Sequence, residues 1–216
     1  MWLFSLVLIP CSFIFRRFIG FHEELRPQKA SLLMYCTGIV AGSLYSVIAM
    51  LLFSTRPYTP YSLFPVLLNS LMFLIIPPLL ILSAALFIFS KNSIEVKTRI
   101  VPDLISGFYS VYLPFTVLTY NKVLTFFPLF IEPVAVLLMI FSIRVSLTAL
   151  IRLPRAGVSV LFYAVFSLAL LLSLCFPAVL FSLWVLGVNP LIITAVFILN
   201  IASAAGIYFS ACNKVL

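Results

Sequence analysis

The sequence is poor in charge and in the residues that catalysis usually needs. Only 8% of its 216 residues are charged, against about 25% in an average soluble protein, while 64% are hydrophobic. So few charges do not cover the surface of a water-soluble domain of this size. The composition therefore excludes a soluble enzyme, a nucleic-acid-binding module and a secreted disulfide-rich scaffold, and it indicates a membrane protein.

Residues that build metal and nucleotide sites are scarce as well. His22 is the single histidine, and the four cysteines, Cys11, Cys36, Cys175 and Cys212, lie far apart without a CxxC pair. With seven glycines in all, the chain has no GxGxxG or Walker-type phosphate loop. No paired catalytic groups stand out. We therefore expect no cofactor, no bound metal and no enzymatic activity.

Apolar runs of about 20 residues recur along nearly the whole chain, which is the length that an α-helix needs to cross the hydrocarbon of a membrane. No run alternates polar and apolar residues as a barrel strand does. We therefore predict an all-α membrane protein, a bundle of six transmembrane helices plus an N-terminal apolar helix. The predicted spans are residues 31–53, 63–89, 101–120, 126–151, 158–183 and 189–212.

The N-terminal apolar segment, residues 1–19, is weaker than the spans. A cleavable signal peptide carries its positive charge before the apolar run, whereas Arg16 and Arg17 lie at its end. Two alternatives stay open: a helix lying in the cytoplasmic interface, which we prefer, and a seventh span. We divide the chain into residues 1–30, the apolar helix with a basic cytoplasmic segment, and residues 31–216, the helical transmembrane domain.

The positive charges alternate between successive loops. Eleven of the thirteen Lys and Arg residues fall on one side of the predicted membrane, and only Arg56 and Lys122 fall on the other. Because cytoplasmic loops retain Lys and Arg, this bias predicts a cytoplasmic C-terminus. Topology and anionic lipid headgroups then explain the net charge of +8, without nucleic acid as a partner.

Glu132 is the most informative single residue, because it lies inside the fourth predicted span, where an isolated carboxylate has a high free-energy cost. It needs a partner or a proton. Lys122 and Arg56, on the same outer side, are candidates for an ion pair, and Asn69 in the second span is a candidate hydrogen-bond donor. Two interpretations stay open: an interhelical tether, which we favour because no second acid lies at similar depth, and a proton or cation site.

Two sets of small residues at helical spacing predict close helix packing. The first contains a GxxxG motif, which lets two helix backbones approach each other within a bundle or between subunits. The sets are Gly38, Gly42 and Ser46, and Ala202, Gly206 and Ser210.

Prolines within the predicted spans remove backbone donors and free carbonyls that neighbours or water must satisfy. The adjacent Pro77 and Pro78, in the middle of the second span, predict the strongest break. Pro102 followed by Asp103 predicts a helix start at the entrance of the third span. Broken helices line substrate sites in some transporters. The spans lack clustered polar residues, so any cavity is expected to suit a lipid-like ligand.

The elements between about residues 63 and 170 follow a particular order. A long span is followed by the charged loop Ser90–Arg99, a Tyr-Ser-x-x-x-Pro element at Tyr109–Pro114, an apolar span, the basic loop Ile143–Ala156 and another apolar helix. This order resembles the Yip1 family of multi-pass membrane proteins, although the span at 189–212 and the lack of a glycine-rich loop before the third span depart from its pattern. The resemblance implies a bacterial cytoplasmic-membrane protein without assigned chemistry, and it carries over no catalytic residue.

These observations predict a Yip1-like scaffold or partner protein in the membrane. Its expected partners are the lipid bilayer and either other membrane proteins or further copies of itself. The alternative is a transporter or permease subunit for a small or lipid-like substrate, in which Glu132 and the Pro77–Pro78 break mark the path.

Overall fold

The computed structural model describes residues 28–53, 63–88, 94–119, 126–152 and 160–214. Within these ranges the regular elements are all helical and no strand occurs, as the apolar runs predict. Residues 1–27, on which the choice between an interfacial helix and a seventh span depends, lie outside the described residues. The elements are α1 (Gln28–Phe53), α2 (Leu63–Ser70), the π-helical segment π1 (Leu71–Ile75), α3 (Ile76–Ile88), α4 (Ile94–Thr119), the π-helical segment π2 (Phe127–Ile131), α5 (Glu132–Arg152), α6 (Val160–Val185) and α7 (Pro190–Lys214).

Four of the described helical stretches are long and apolar enough to cross a membrane, which is compatible with a membrane-embedded bundle. The described residues therefore contain four such stretches, rather than the predicted six plus an N-terminal helix. α4 is not among them, because it begins with the charged run that ends at Arg99 and carries Asp103 further on. α6 is a helix of 26 residues without a charged residue, and its described apolar stretch is Leu170–Val185. The four spans are Leu32–Leu51, Leu63–Ile81, Phe127–Ser146 and Pro190–Ser210.

Helix α5 packs against α4, α6 and α7, while α1 packs along α4, and α2 and π1 pack against α6. A short turn joins α6 to α7, and in it Gly187 adopts a φ of 69°, which glycine reaches without steric cost. Trp184, at the end of α6, stacks on Phe127 just before α5, with ring centroids 5.3 Å apart. α6 is thus antiparallel to both α5 and α7, so α5 and α7 run parallel to each other.

An aromatic cluster fills the space between α1 and α4. It consists of Tyr45, Phe108, Tyr109 and Tyr112, whose ring centroids lie between 5.1 and 6.4 Å apart in tilted and edge-to-face arrangements. Such pairs contribute about 0.5–1.5 kcal/mol each beyond the area that they bury. The cluster gives the bundle a rigid interior at this level.

The start of α4 differs from the prediction made for Asp103. The helix begins at Ile94, so Pro102 lies inside it and Asp103 is not a helix-start residue. Asp103 is instead buried, with 5% of its surface exposed. A membrane helix tolerates an internal proline where neighbouring groups satisfy the freed backbone, and the sequence alone does not distinguish that case from a helix start.

The GxxxG motif lies where α1 meets α4. A Cβ atom on Gly38 would overlap the Leu104 carbonyl oxygen, and one on Gly42 would overlap the Phe108 carbonyl oxygen. On the other helix, a Cβ on Gly107 would overlap the carbonyl oxygen of Tyr35. The motif therefore brings two backbones of the same chain together.

Ser46, one turn after Gly42, is buried on the same face of α1 and its hydroxyl donates to the Gly42 carbonyl oxygen at 2.7 Å. The second set of small residues has a different environment. Ala202 and Gly206 are exposed, and a Cβ on Gly206 would meet no described atom within 4 Å. The described residues do not form the close packing predicted for them, because α7 buries its opposite face, which carries Asn200 and Ala204.

We expect Gly42→Ala to lower the free energy of unfolding in detergent by about 1–3 kcal/mol, because the added methyl group forces α1 away from the α4 backbone. Gly206→Ala is the matched control. It makes the same change where there is room, so it should be neutral or stabilise by up to about 1 kcal/mol. Thermal unfolding of the two variants measures both effects, and equal losses would contradict the packing role of Gly42.

Candidate functional site

The proline pair leaves two successive carbonyls without their usual donors. In an α-helix each carbonyl accepts from the N–H four residues later, and in a π-helix from the N–H five residues later. For Phe73 these positions are Pro77 and Pro78, and neither has an N–H. Leu74 loses its α-helical donor at Pro78. The backbone carbonyls of Phe73 and Leu74 therefore need donors from elsewhere.

Two tyrosines of α4 supply these donors. The Tyr112 hydroxyl donates to the Phe73 carbonyl oxygen at 2.7 Å, and the Tyr109 hydroxyl donates to the Leu74 carbonyl oxygen. Because Tyr109 and Tyr112 are three residues apart, they lie on the same face of α4. We call these two hydrogen bonds the tyrosine clasp. It confirms that the carbonyls freed by the proline pair are satisfied by a neighbouring helix.

Both π-helical segments lie next to prolines. π1 ends just before the Pro77–Pro78 pair, and π2 ends just before Glu132 and Pro133. The backbone N–H of Glu132 donates to the Phe127 carbonyl oxygen, five residues back, as in a π-helix. Single π-helical turns occur often at functional sites, and here one of them precedes the only acidic residue of α5.

The Glu132 side chain points into the bundle. It is 1% exposed, and neither Oε1 nor Oε2 has a hydrogen-bond partner in the part of the chain that the structure describes. The Tyr109 hydroxyl lies within electrostatic range of the carboxyl, but it donates its proton to Leu74. A buried carboxylate without compensation costs several kcal/mol. A proton or a cation therefore has to accompany Glu132.

The partners predicted for Glu132 are not found among the described residues. Asn69 is half-buried on α2, which packs against α6, and it makes no hydrogen bond to either carboxyl oxygen. The predicted Asn69 contact is therefore wrong. Lys122 and Arg56 lie outside the described residues, so the ion pairs predicted for them stay predictions.

A second buried polar group lies at about the depth of Glu132. The Nδ2 atom of Asn200 on α7 has no hydrogen-bond partner among the described residues, and the side chain is 1% exposed. The rings of Phe141 on α5 and Tyr208 on α7 meet at 5.7 Å. Glu132 precedes Phe141 by nine residues and Asn200 precedes Tyr208 by eight. At about 1.5 Å per residue on parallel helices, the two groups lie at similar depths.

Two serines of α5 are also buried without a hydrogen-bond partner within the described ranges, namely Ser142 and Ser146. They lie ten and fourteen residues beyond Glu132, which is roughly 15 and 21 Å along the helix axis. They are therefore too far along α5 to bond to its carboxyl.

The sequence pattern does not single out Tyr109, Tyr112 or Asn200 as interior polar groups. A signal existed for the tyrosines, since a buried phenol needs a hydrogen-bond partner and two adjacent prolines leave carbonyls that need donors. For Asn200 the signal is an amide in an apolar run. Its depth relative to Glu132 depends on the register between α5 and α7, which only the structure gives.

In the described ranges, no three His, Cys, Asp or Glu side chains come together in a group that could hold a metal ion. Comparisons of the chain with protein-family models, with curated proteins and with solved structures gave no match. The site is therefore defined by its own geometry.

We expect Tyr112→Phe to lower the free energy of unfolding by about 1–2 kcal/mol, because the Phe73 carbonyl then loses its donor. The loss should be smaller in a Pro77→Ala background, where a backbone N–H again lies four residues after Phe73. A double-mutant cycle in detergent measures this coupling. Strictly additive effects would contradict the tyrosine clasp.

Tyr35→Phe is the control for this cycle. The Tyr35 hydroxyl shares a hydrogen bond of 2.7 Å with the Ser110 hydroxyl, which also donates to the Ser106 carbonyl oxygen at 2.8 Å. Ser110 therefore keeps a partner, and Pro77→Ala should leave the effect of Tyr35→Phe unchanged.

Proposed function

We propose that this chain is a non-enzymatic integral membrane protein that acts as a Yip1-like scaffold or partner protein, in the cytoplasmic membrane of a bacterium and with its C-terminus in the cytoplasm. The observation that supports a scaffold is the tyrosine clasp. In transporters with broken helices, the unwound carbonyls coordinate the transported ion or substrate. Here the helix is not broken, because it continues from Leu63 to Ile88 through π1, and the Tyr109 and Tyr112 hydroxyls bind the carbonyls that the prolines free. Because these carbonyls are not available to an ion or a substrate, the bundle acts through its outer surface.

Helix α7 offers the outer face that best suits a partner helix. Leu199, Ala202 and Gly206 are exposed and lie three and four residues apart, so they share one face. Small residues on such a face let a second helix approach closely. The exposed face of α1, by contrast, carries bulky side chains such as Val40 and Leu44. We therefore assign the partner contact to α7.

We expect Gly206→Leu to release the partner without unfolding the chain, because no described residue lies within 4 Å of a Cβ at that position. The measurement is photo-crosslinking in native membranes from a reactive amino acid placed at Leu199, with Leu44 on α1 as the control position. A defined protein adduct from Leu199 should disappear with Gly206→Leu. An adduct with twice the mass of the chain identifies a second copy as the partner.

Thermal unfolding of Gly206→Leu in detergent is the folding control, and we expect a transition like that of the unsubstituted chain. Lipid adducts alone from Leu199, or a protein adduct that Gly206→Leu leaves unchanged, would contradict a partner on this face of α7.

A transporter or permease subunit is the second candidate function, and Glu132 is the observation that favours it. Ionisable side chains buried at membrane depth mark ion and proton pathways in many membrane proteins. Glu132 is buried, and both of its carboxyl oxygens are free of hydrogen bonds to the described residues. This candidate needs a path that reaches Glu132 without passing the tyrosine clasp.

For this candidate, Glu132→Gln is expected to abolish proton or cation flux in proteoliposomes, because the amide keeps the shape of the side chain but does not ionise. The folded yield in detergent should stay the same. A fall in yield with unchanged flux identifies a structural tether, and no change in either quantity shows that both interpretations of Glu132 are wrong.

A further inference from the structure

We propose that Glu132 is a proton-binding site inside the bundle, in which the carboxyl group carries a proton and binds no metal cation. The assignment goes beyond the scaffold function and does not depend on it. It rests on the burial of the side chain, on its two unpartnered oxygens and on the groups that surround it.

An ionised Glu132 would need a positive charge close by. Arg144 is the cation of α5 whose side chain the structure describes, and it lies twelve residues away, roughly 18 Å along the helix. Arg144 also has another interaction within the chain. It therefore does not neutralise a carboxylate at position 132, and a bound proton does so without any further residue.

A metal cation is a poor fit to the same position. Ca²⁺ takes about six to eight oxygen ligands, and Mg²⁺ requires a nearly ideal octahedron of them. No hydroxyl or amide in the described residues bonds to Glu132, and no second acid groups with it. A proton needs only one carboxyl oxygen, so the surroundings of Glu132 suit a proton.

The titratable side chains on the packed elements leave Glu132 without a charged neighbour in the described ranges. α4 carries Tyr109, within electrostatic range, together with Tyr112 and the more distant Asp103. Among the side chains that the structure describes, the titratable group of α6 is Cys175 and that of α7 is Tyr208, and π2 has no titratable residue. Asp103 lies six residues before Tyr109, roughly 9 Å away along α4.

Asn200 adds a second observation at the same level. Its Nδ2 donor is buried and unpartnered among the described residues, at about the depth of Glu132 on the helix that runs parallel to α5. Buried polar atoms without partners are uncommon in folded proteins, and each requires an explanation. Two side chains with such atoms at one depth, Glu132 and Asn200, indicate that this level of the bundle is built around a polar group.

Dicyclohexylcarbodiimide tests the assignment, because this apolar reagent enters the bilayer and reacts with protonated carboxyl groups. The carboxyl proton moves to a nitrogen of the reagent, the carboxylate oxygen adds to the central carbon, and acyl transfer to nitrogen leaves a stable N-acylurea. The full chain is treated in phosphatidylcholine proteoliposomes at neutral pH, and the adduct is mapped by peptide mass spectrometry. We expect modification at Glu132 and its complete loss in Glu132→Gln.

Two internal controls sharpen this experiment. Glu23 and Glu24, in the predicted cytoplasmic segment, should stay unmodified at neutral pH because exposed carboxyl groups are ionised there. The reaction is also run in sodium chloride and in choline chloride at equal ionic strength. Equal rates support a proton at Glu132, and protection by sodium overturns the assignment in favour of a metal cation.

Infrared difference spectroscopy gives the same answer without a reagent that has to reach the site. Subtracting the spectrum of Glu132→Gln from that of the unsubstituted chain should leave the carbonyl stretch of a protonated carboxyl group. A carboxylate stretch in its place overturns the proposal, whatever the partner crosslinking from α7 shows.

Discussion

The structure depends on one constraint, which is that hydrocarbon offers no hydrogen bonds to a backbone that lacks its own. A proline in such a helix leaves a carbonyl without a backbone donor, so another part of the protein has to donate to it. At Pro77 and Pro78 two carbonyls lack a donor, and two tyrosine hydroxyls of α4 donate to them. The aromatic rings that carry these hydroxyls also fill the interior next to α1, so the same side chains satisfy the backbone and form the core.

The sequence predicts the helical class well, because long apolar runs leave no other backbone structure. α4 falls outside the four apolar stretches because this long helix carries buried polar residues such as Asp103 and Ser110. Such a helix is shielded by its neighbours, so its own hydropathy does not report its position. The sequence also does not predict that α1 pairs with α4, because a GxxxG motif indicates a close helix contact but does not identify the partner helix.

The candidate site, too, is predicted from the sequence only in part. An acid within an apolar run marks Glu132 in the sequence, and its burial follows from that position. Which groups surround it depends on helix register: Asn69 looks as close as Asn200 from the sequence, but α2 packs on α6 whereas α7 packs on α5. The bundle thus buries polar groups in two ways. The tyrosine clasp gives each freed carbonyl a hydrogen-bond donor, whereas the carboxyl group of Glu132 is buried without a hydrogen-bond partner among the described residues.

The glycine contact between α1 and α4 has a consequence for biogenesis. The Tyr35 and Ser110 hydroxyls that meet beside it are 75 residues apart in the chain. A ribosome must therefore deliver α2, π1 and α3 to the membrane before α1 finds its neighbour. The glycine face of α1 therefore stays without its α4 neighbour until α4 emerges, so the earliest helix of the described bundle completes its packing only after two later helices and π1 have been inserted.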